Sequence, residues 1–261
     1  MWLRNSVVSV GLVGLCVMVE VLGFVPEDVL IEVIRSRDLD EKMVNDSKHT
    51  IDGWYEVELD NCEQVVHGRK IVQMPDGTYV PCDGDTDGGR WTVIQRRIHS
   101  DGYFTQDWLR YEIGFGFPED DFWLGLHSVS ELTRLWTHQL RVDFTTKNGR
   151  DYNFTYNLFR ILPGQQHFRL QVAEPDPPSP ESKSLLELND IGFTNADKYN
   201  GPSGKICSKS YSSGWWYTGC DVDTKVYLNG QKSLNWVDSK WAPLTDNDPI
   251  VKSEMKIRKL V

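Results

Sequence analysis

The chain has 261 residues, enough for one large domain or two small ones. It carries 38 acidic against 28 basic side chains, a formal charge of −10, which argues against nucleic acid and against docking on an anionic membrane surface. Ten tryptophans supply apolar bulk for a sizeable core and exclude a mainly disordered chain. Residues 1–23 read as a secretory signal. Arg4 gives the positive region, Val7 to Val19 is an uncharged apolar run, and Val21 and Gly23 are small residues before a cleavage point at Phe24. A retained signal anchor is the alternative. The run is short of the about 20 residues a span needs, and Glu20 closes it, so no membrane span is expected after processing.

An extracellular destination changes how the cysteines are read. Cys16 leaves with the signal, and Cys62, Cys82, Cys207 and Cys220 remain. Four cysteines allow three pairings. The two short-range pairs, Cys62–Cys82 and Cys207–Cys220, are favoured, each closing a local loop at a gain of about 2–4 kcal/mol. A zinc site competes, but the sequence has no C-x-x-C pair. Asn45-Asp-Ser and Asn153-Phe-Thr are N-glycosylation sequons that secretion makes usable.

Residues 24–61 form a charged leader. Pro26 can open a helix, and Val29, Leu30, Val33 and Ile34 can form one apolar stripe, with Leu39 and Met43 extending it. The segment is either a short oligomerising helix or a loosely docked leader, since no heptad is sustained. It has no cysteine, so any homo-oligomer is non-covalent, and no Gly-X-Y repeat makes a collagen stalk.

From Cys62 to Val261 the pattern is that of one mixed domain. Pro75-Asp76-Gly77 signals a turn. Trp91 to Ile98 predicts a strand with Trp91, Val93 and Gln95 on one face. Gln106 to Ile113 predicts a helix capped by Thr105, and Ser128-Val-Ser-Glu131 a capping box that starts a second. Leu140 to Thr146 and Tyr152 to Ile161 predict a hairpin across Asn148-Gly149, with a further strand at Phe168 to Ala173. Glu174 to Ser184 is Pro-rich and acidic and predicts a mobile loop. The last third predicts long loops stapled by a disulfide, where a binding site is expected.

Two chemical signals carry less weight. Asp83-Gly-Asp-Thr-Asp-Gly88 matches half of an EF-hand loop. Ile94 stands where the closing bidentate Glu belongs, so a turn with solvated carboxylates is expected instead. The six histidines are scattered, no nucleophile elbow or P-loop is present, and the mature cysteines serve better as disulfides than as nucleophiles. The protein is not expected to be an enzyme.

Several motifs in order resemble one family. They are Thr86-Asp-Gly-Gly-Arg-Trp-Thr-Val-Ile-Gln-Arg-Arg97, Tyr111 to Gly116, Phe122-Trp-Leu-Gly-Leu126 and Glu131-Leu-Thr133. Further along come Gly214-Trp-Trp-Tyr217 before Cys220, Leu228-Asn-Gly230, Asn235-Trp236 and Ser253-Glu-Met-Lys-Ile-Arg258. Together they resemble the fibrinogen C-terminal domain family, of ficolin and tachylectin type, over about 200 residues. The resemblance implies an α+β fold: a central twisted, mainly antiparallel sheet, few helices and a loop-rich C-terminal ligand-binding region. It implies the same two short-range disulfides. It also implies calcium beside an acetyl-binding pocket in lectin members.

That site is altered here. Counting back from Cys207, the two calcium carboxylate positions hold Tyr199 and Gly201, neither of which supplies a charged oxygen. Asp197 and Asn200 are the nearest substitutes for a metal. No cofactor is otherwise implied. The expected ligand contacts are Tyr211, Trp216, Tyr217, Asp221 and Asp223. Asp221 stands where lectin members carry His, so an acceptor replaces a donor. The leading expectation is a secreted lectin-like protein of innate defence, binding glycans or acetylated groups. The alternatives are a protein-binding ligand of angiopoietin or tenascin type, or a venom or mucus component acting on haemostasis or adhesion. The expected partners are glycans or extracellular glycoproteins.

Overall fold

The computed structural model describes residues 54–57, 61–74, 77–99, 102–201, 213–219, 224–230 and 239–260, the first four by backbone alone. All fall within the unit His49–Val261. The signal segment, most of the leader with Asn45, and the Cys207–Cys220 pair lie outside the described residues.

The body is a 10-stranded sheet. β1 (Trp54–Val57) pairs parallel with β2 (Arg69–Gln73), so the sheet takes in a strand upstream of Cys62, within the stretch assigned to the leader. Every other pairing in this sheet is antiparallel. A hairpin joins β2 to β3 (Tyr79–Asp83). Gly77, at φ 86, donates its N–H to the Met74 carbonyl at 2.8 Å, which fulfils the turn signal read at this point. The Cys62–Cys82 disulfide ties the domain entry to β3 across a Cα separation of 5.4 Å.

β4 (Trp91–Arg97) is buried at every position except Thr92, not on one face only, because it lies under both the loop region and a layer of charge described below. β5 (Phe115–Gly116) and β6 (Phe122–Trp123) form a side branch on β4. The last strand, β12 (Ile250–Lys259), runs between β4 and β7 (His138–Thr146). β7 and β8 (Asp151–Ile161) form the expected hairpin, turned by Gly149 at φ 77. Leu140, Val142 and Phe144 of β7 alternate into the core, the period-2 pattern that made this strand readable. β9 (Leu170–Pro175) closes the sheet, whose order is β1-β2-β3-β4-β12-β7-β8-β9. Its outer edge is blunted locally: Val172 donates to Asn189 Oδ1 at 2.9 Å and Leu170 to the Ile191 carbonyl at 3.0 Å. β10 (Val226–Tyr227) and β11 (Lys240–Trp241) make a separate antiparallel pair in the loop region.

Both helices start elsewhere than the sequence predicts. α1 (Trp108–Ile113) is capped by Asp107, whose carboxylate accepts the Arg110 N–H at 2.8 Å, rather than by Thr105. α2 (Leu126–Leu132) begins at Gly125, upstream of Ser128, and no side chain caps it. The cause is packing. Gly125 sits at φ 100 against the end of α1, where a Cβ would meet the Ile113 carbonyl carbon at 2.6 Å. Glu131, freed from a capping role, pairs with Arg134 at 2.9 Å.

The Glu174–Ser184 segment is exposed over its prolines but docked at its end. Ser182 and Ser184 are buried, the Tyr156 hydroxyl donates to the Ser182 carbonyl at 2.6 Å, and Ser184 Oγ donates to the Ala242 carbonyl at 2.8 Å. The expectation of a mobile loop is corrected for its C-terminal part, which the bonds to Tyr156 of β8 and to Ala242 hold and which continues into a 3-10 turn at Ser182–Leu188.

Candidate ligand-binding site

The loop region rests on an aromatic floor. Tyr111 of α1 meets Phe115 of β5 and Trp123 of β6 edge-on, at ring centroids 5.1 and 5.5 Å apart. Phe193 lies 5.2 Å from Tyr111 and 5.0 Å from Trp216, and Trp216 lies 5.1 Å from Trp215. Edge-to-face contacts of this kind suit the ring quadrupoles and make the floor rigid.

Trp216 and Tyr217, expected as ligand contacts, belong to this floor. Each is 1% exposed. Trp216 Nε1 donates to the Phe168 carbonyl at 2.8 Å, and the Tyr217 hydroxyl to the Ser213 carbonyl at 2.5 Å. Burial pushes the Tyr217 phenol well up. With faces covered and polar atoms satisfied inside the protein, neither reaches a ligand, and that expectation is corrected. Tyr211, Asp221 and Asp223 lie outside the described residues. Their neighbours are well placed: Thr224 Oγ1 donates to the Gly219 carbonyl at 3.0 Å, joining the two ends of the stretch that holds Cys220, Asp221 and Asp223.

A buried polar network, missed from sequence, locks this region to the sheet. Gln95 Nε2 of β4 donates to Asn229 Oδ1 at 3.1 Å and to Ser253 Oγ at 3.0 Å, while Asn229 Nδ2 donates to the Gly214 carbonyl at 3.0 Å. Ser213 Oγ bonds the Asn229 carbonyl at 2.8 Å and also meets the Tyr227 hydroxyl. The signal was present in Leu228-Asn-Gly230, a polar residue set between apolar ones.

The segment expected to hold calcium does other work. Asn195 Oδ1 accepts the N–H groups of Asp197 and Lys198, at 3.1 and 2.9 Å, turning the backbone. Asp197 Oδ2 accepts the Trp108 N–H at 2.9 Å, placing a carboxylate on the open donors that start α1. Lys198 Nζ lies over the Trp108 ring at 4.1 Å. Asn200 Nδ2 donates to the Phe193 carbonyl at 2.8 Å. Tyr199 packs its ring over Gly201, where an added Cβ would lie 3.1 Å from it. An aromatic ring fills the space at the two expected carboxylate positions. The described residues of this segment do not fit a family-type calcium site: Asp197 instead holds the loop on α1, and Asn200 closes the segment on Phe193.

The EF-hand-like stretch turns one carboxylate inward. Asp85 and Asp87 are exposed as expected, but Asp83 is fully buried rather than solvated, which corrects the expectation there. Its carboxylate accepts the Asp85 and Thr86 N–H groups at 2.9 and 3.1 Å, the Thr86 hydroxyl at 2.6 Å and Lys256 Nζ at 2.6 Å. Asp85 takes the Gly68 N–H at 2.7 Å, and Asp87 pairs with Arg141. Lys256 in turn reaches Glu254 at 3.0 Å and Asp143 at 2.9 Å, and Arg69 reaches Glu254 at 3.0 Å. Burial opposes charge on Asp83, yet Lys256, Thr86 and Arg69 outweigh it and hold the carboxyl well below its usual range.

The sequence carries this geometry in a known pattern. Residues 37–259 match the model of the C-terminal globular domain of fibrinogen beta and gamma chains. The protein belongs to the fibrinogen C-terminal domain family. It is 35% identical over 195 residues to human fibrinogen C domain-containing protein 1, a match covering 72% of this chain and 42% of that protein. It is 31% identical over 198 residues to mouse angiopoietin-related protein 6, covering 74% of this chain and 42% of that one. Against human tenascin-R the identity is 32% over 187 residues, 69% of this chain and 13% of the relative. The sequence thus spans less than half the length of these curated relatives. The fibrinogen-like globe domain of human ANGPTL6 superposes with a TM-score of 0.67 at 29% identity, over 74% of this chain and 90% of that one. Lamprey fibrin D-dimer, solved with a Gly-His-Arg-Pro-amide peptide, shares the fold alone, at TM-score 0.63 and 21% identity over 90% of this chain and 86% of that one. The α+β fibrinogen-like globe is the fold. Among the described residues no helix is long and apolar enough to cross a membrane.

Proposed function

We propose that this protein is a secreted fibrinogen-type recognition domain that binds an extracellular protein, without calcium, through the loops between residues 201 and 239. The observation that carries the reading is Tyr199 packed over Gly201 where lectin members need carboxylates, with Asp197 committed to the start of α1. Calcium requires several hard oxygens converging on one point. A site that has lost them must recognise its ligand by surface shape and hydrogen bonding. The likeness to angiopoietin-related protein 6 and tenascin-R supports the same direction. The N-terminal signal pattern supports an extracellular destination.

The lectin reading keeps Tyr211, Asp221 and Asp223 as glycan contacts, and one experiment separates the two. The secreted protein is applied to an array of acetylated and plain glycans and, in parallel, to cell-surface protein extracts, each with calcium and with excess chelator. The proposal expects saturable capture of a protein that survives chelation and glycosidase treatment. Binding to acetylated glycans that chelator abolishes would overturn it and restore the lectin reading.

A further inference from the structure

The outer face of the sheet carries a groove of about 520 Å³, whose lining includes Arg141, Asp143, Lys252, Glu254, Lys256 and Asn153. It lies opposite the face that supports the loop region. Cross-strand pairing brings these residues together: Asn153 of β8 stands beside Asp143 of β7, which stands beside Glu254 of β12. Its acids are paired with bases. Arg141 bonds Asp143 at 2.8 Å, and Lys256 bonds Asp143 and Glu254 at 2.9 and 3.0 Å. With Arg69, Arg96 and Lys252 also in the lining, the groove keeps an excess of basic side chains and presents many donors and acceptors. A hydroxyl-rich ligand can pair with both kinds.

Asn153 stands at this groove within the sequon Asn153-Phe-Thr155. Residues two apart on a strand share a face, so Asn153 and Thr155 point outward together. Phe154 between them points inward and stacks on Trp241 with centroids 4.7 Å apart. Asn153 is exposed, and among the described residues its amide makes no hydrogen bond. Asn157, further along the same strand, is by contrast committed to Gln139 at 2.8 Å. A free amide at an open polar groove is what a covalent sugar needs.

We propose that Asn153 carries an N-linked oligosaccharide that roofs the charged groove and closes this sheet face to partner proteins. The inference rests on the secretory part of the function proposed above. The donor is an oligosaccharide on a lipid diphosphate, met on entry to the secretory pathway. Asn153 Nδ2 attacks the anomeric carbon, a C–N bond forms and the C–O bond to the diphosphate breaks. The lipid diphosphate leaves with the bonding pair, and the amide gives up one proton. Attachment precedes folding, so the strand position is no obstacle, and the groove then receives the inner sugars.

The test uses the full-length protein expressed in secreting animal cells. Peptide-N-glycosidase in heavy-oxygen water converts a glycosylated Asn into a mass-tagged Asp. The proposal expects the tag at Asn153 in secreted protein, and its loss in Thr155→Val and, independently of any folding defect in that variant, in Asn153→Gln. It also expects amine-reagent labelling of Lys252 in the native protein to rise several-fold after sugar removal. Secreted protein bare at Asn153 overturns the proposal alone. Protein kept in the cytosol with both sequons bare overturns the secretory reading as well. A tagged Asn153 with unchanged Lys252 labelling overturns the roof.

Discussion

Lys256 touches three carboxylates in the middle of the sheet and, with Arg69, keeps Asp83 and Glu254 charged out of water. Removing it leaves the buried Asp83 carboxylate with only the longer Arg69 ion pair, at 3.4 Å. Lys256→Met is expected to cost about 3–5 kcal/mol, read as a shift in the denaturant midpoint; a loss under about 1 kcal/mol would show that the network is dispensable. The same pairs set the pH response. Burial would raise Asp83 and Glu254, but Lys256 and Arg69 outweigh it and lower both. Their contribution is complete above about pH 4, where the unfolded carboxylates are ionised, and is lost as pH falls through the lower folded values. Lys256 is raised by Glu254, Asp143 and Asp83 against the effect of burial, so its contribution holds below about pH 10 and fades beyond. Thermal unfolding across pH should therefore show a neutral plateau, a steep acid loss below about pH 4 and, in Lys256→Met, a shallower acid slope. None of this was legible from Asp83-Gly-Asp-Thr-Asp-Gly88 itself. The partner that buries Asp83 lies 173 residues away, and local sequence shows only a turn rich in acid.

At the scale of elements, strands were readable and helix starts were not. β7 and β8 alternate apolar and polar residues around an Asn-Gly turn, so period and punctuation agree. α1 has two residues able to cap it, Thr105 and Asp107, and the choice depends on contacts from elsewhere. Asp197 supplies one of them from 89 residues downstream. Asp197→Ala is expected to destabilise the domain by about 1 kcal/mol, the usual cost of a lost cap, by equal amounts with calcium and with chelator. A loss seen only in calcium would return Asp197 to metal binding. Trp216 and Tyr217 illustrate the converse difficulty. A run of aromatic residues reads alike whether it lines a pocket or floors one, and only the burial of both side chains separates the cases.

For the whole molecule, the order of motifs along the sequence was enough to give the fold, because β12 must thread between β4 and β7 for the sheet to exist. Disrupting that strand should abolish folding rather than loosen one end. Met255→Asp places an unpaired carboxylate at a position 1% exposed, and is expected to leave no cooperative unfolding transition. The ligand was less legible than the fold: of the five expected contacts, Trp216 and Tyr217 are buried in the aromatic floor, and Tyr211, Asp221 and Asp223 lie outside the described residues. The proposal that no calcium is needed rests on Tyr199 and Gly201, neither of which supplies a carboxylate, and on the Tyr199 ring packed over Gly201. Thermal unfolding of the purified domain in millimolar calcium against excess chelator tests that directly, because a cation bound only by the folded state must raise the melting temperature. Coincident transitions are predicted. A melting temperature that climbs with calcium concentration would contradict the account.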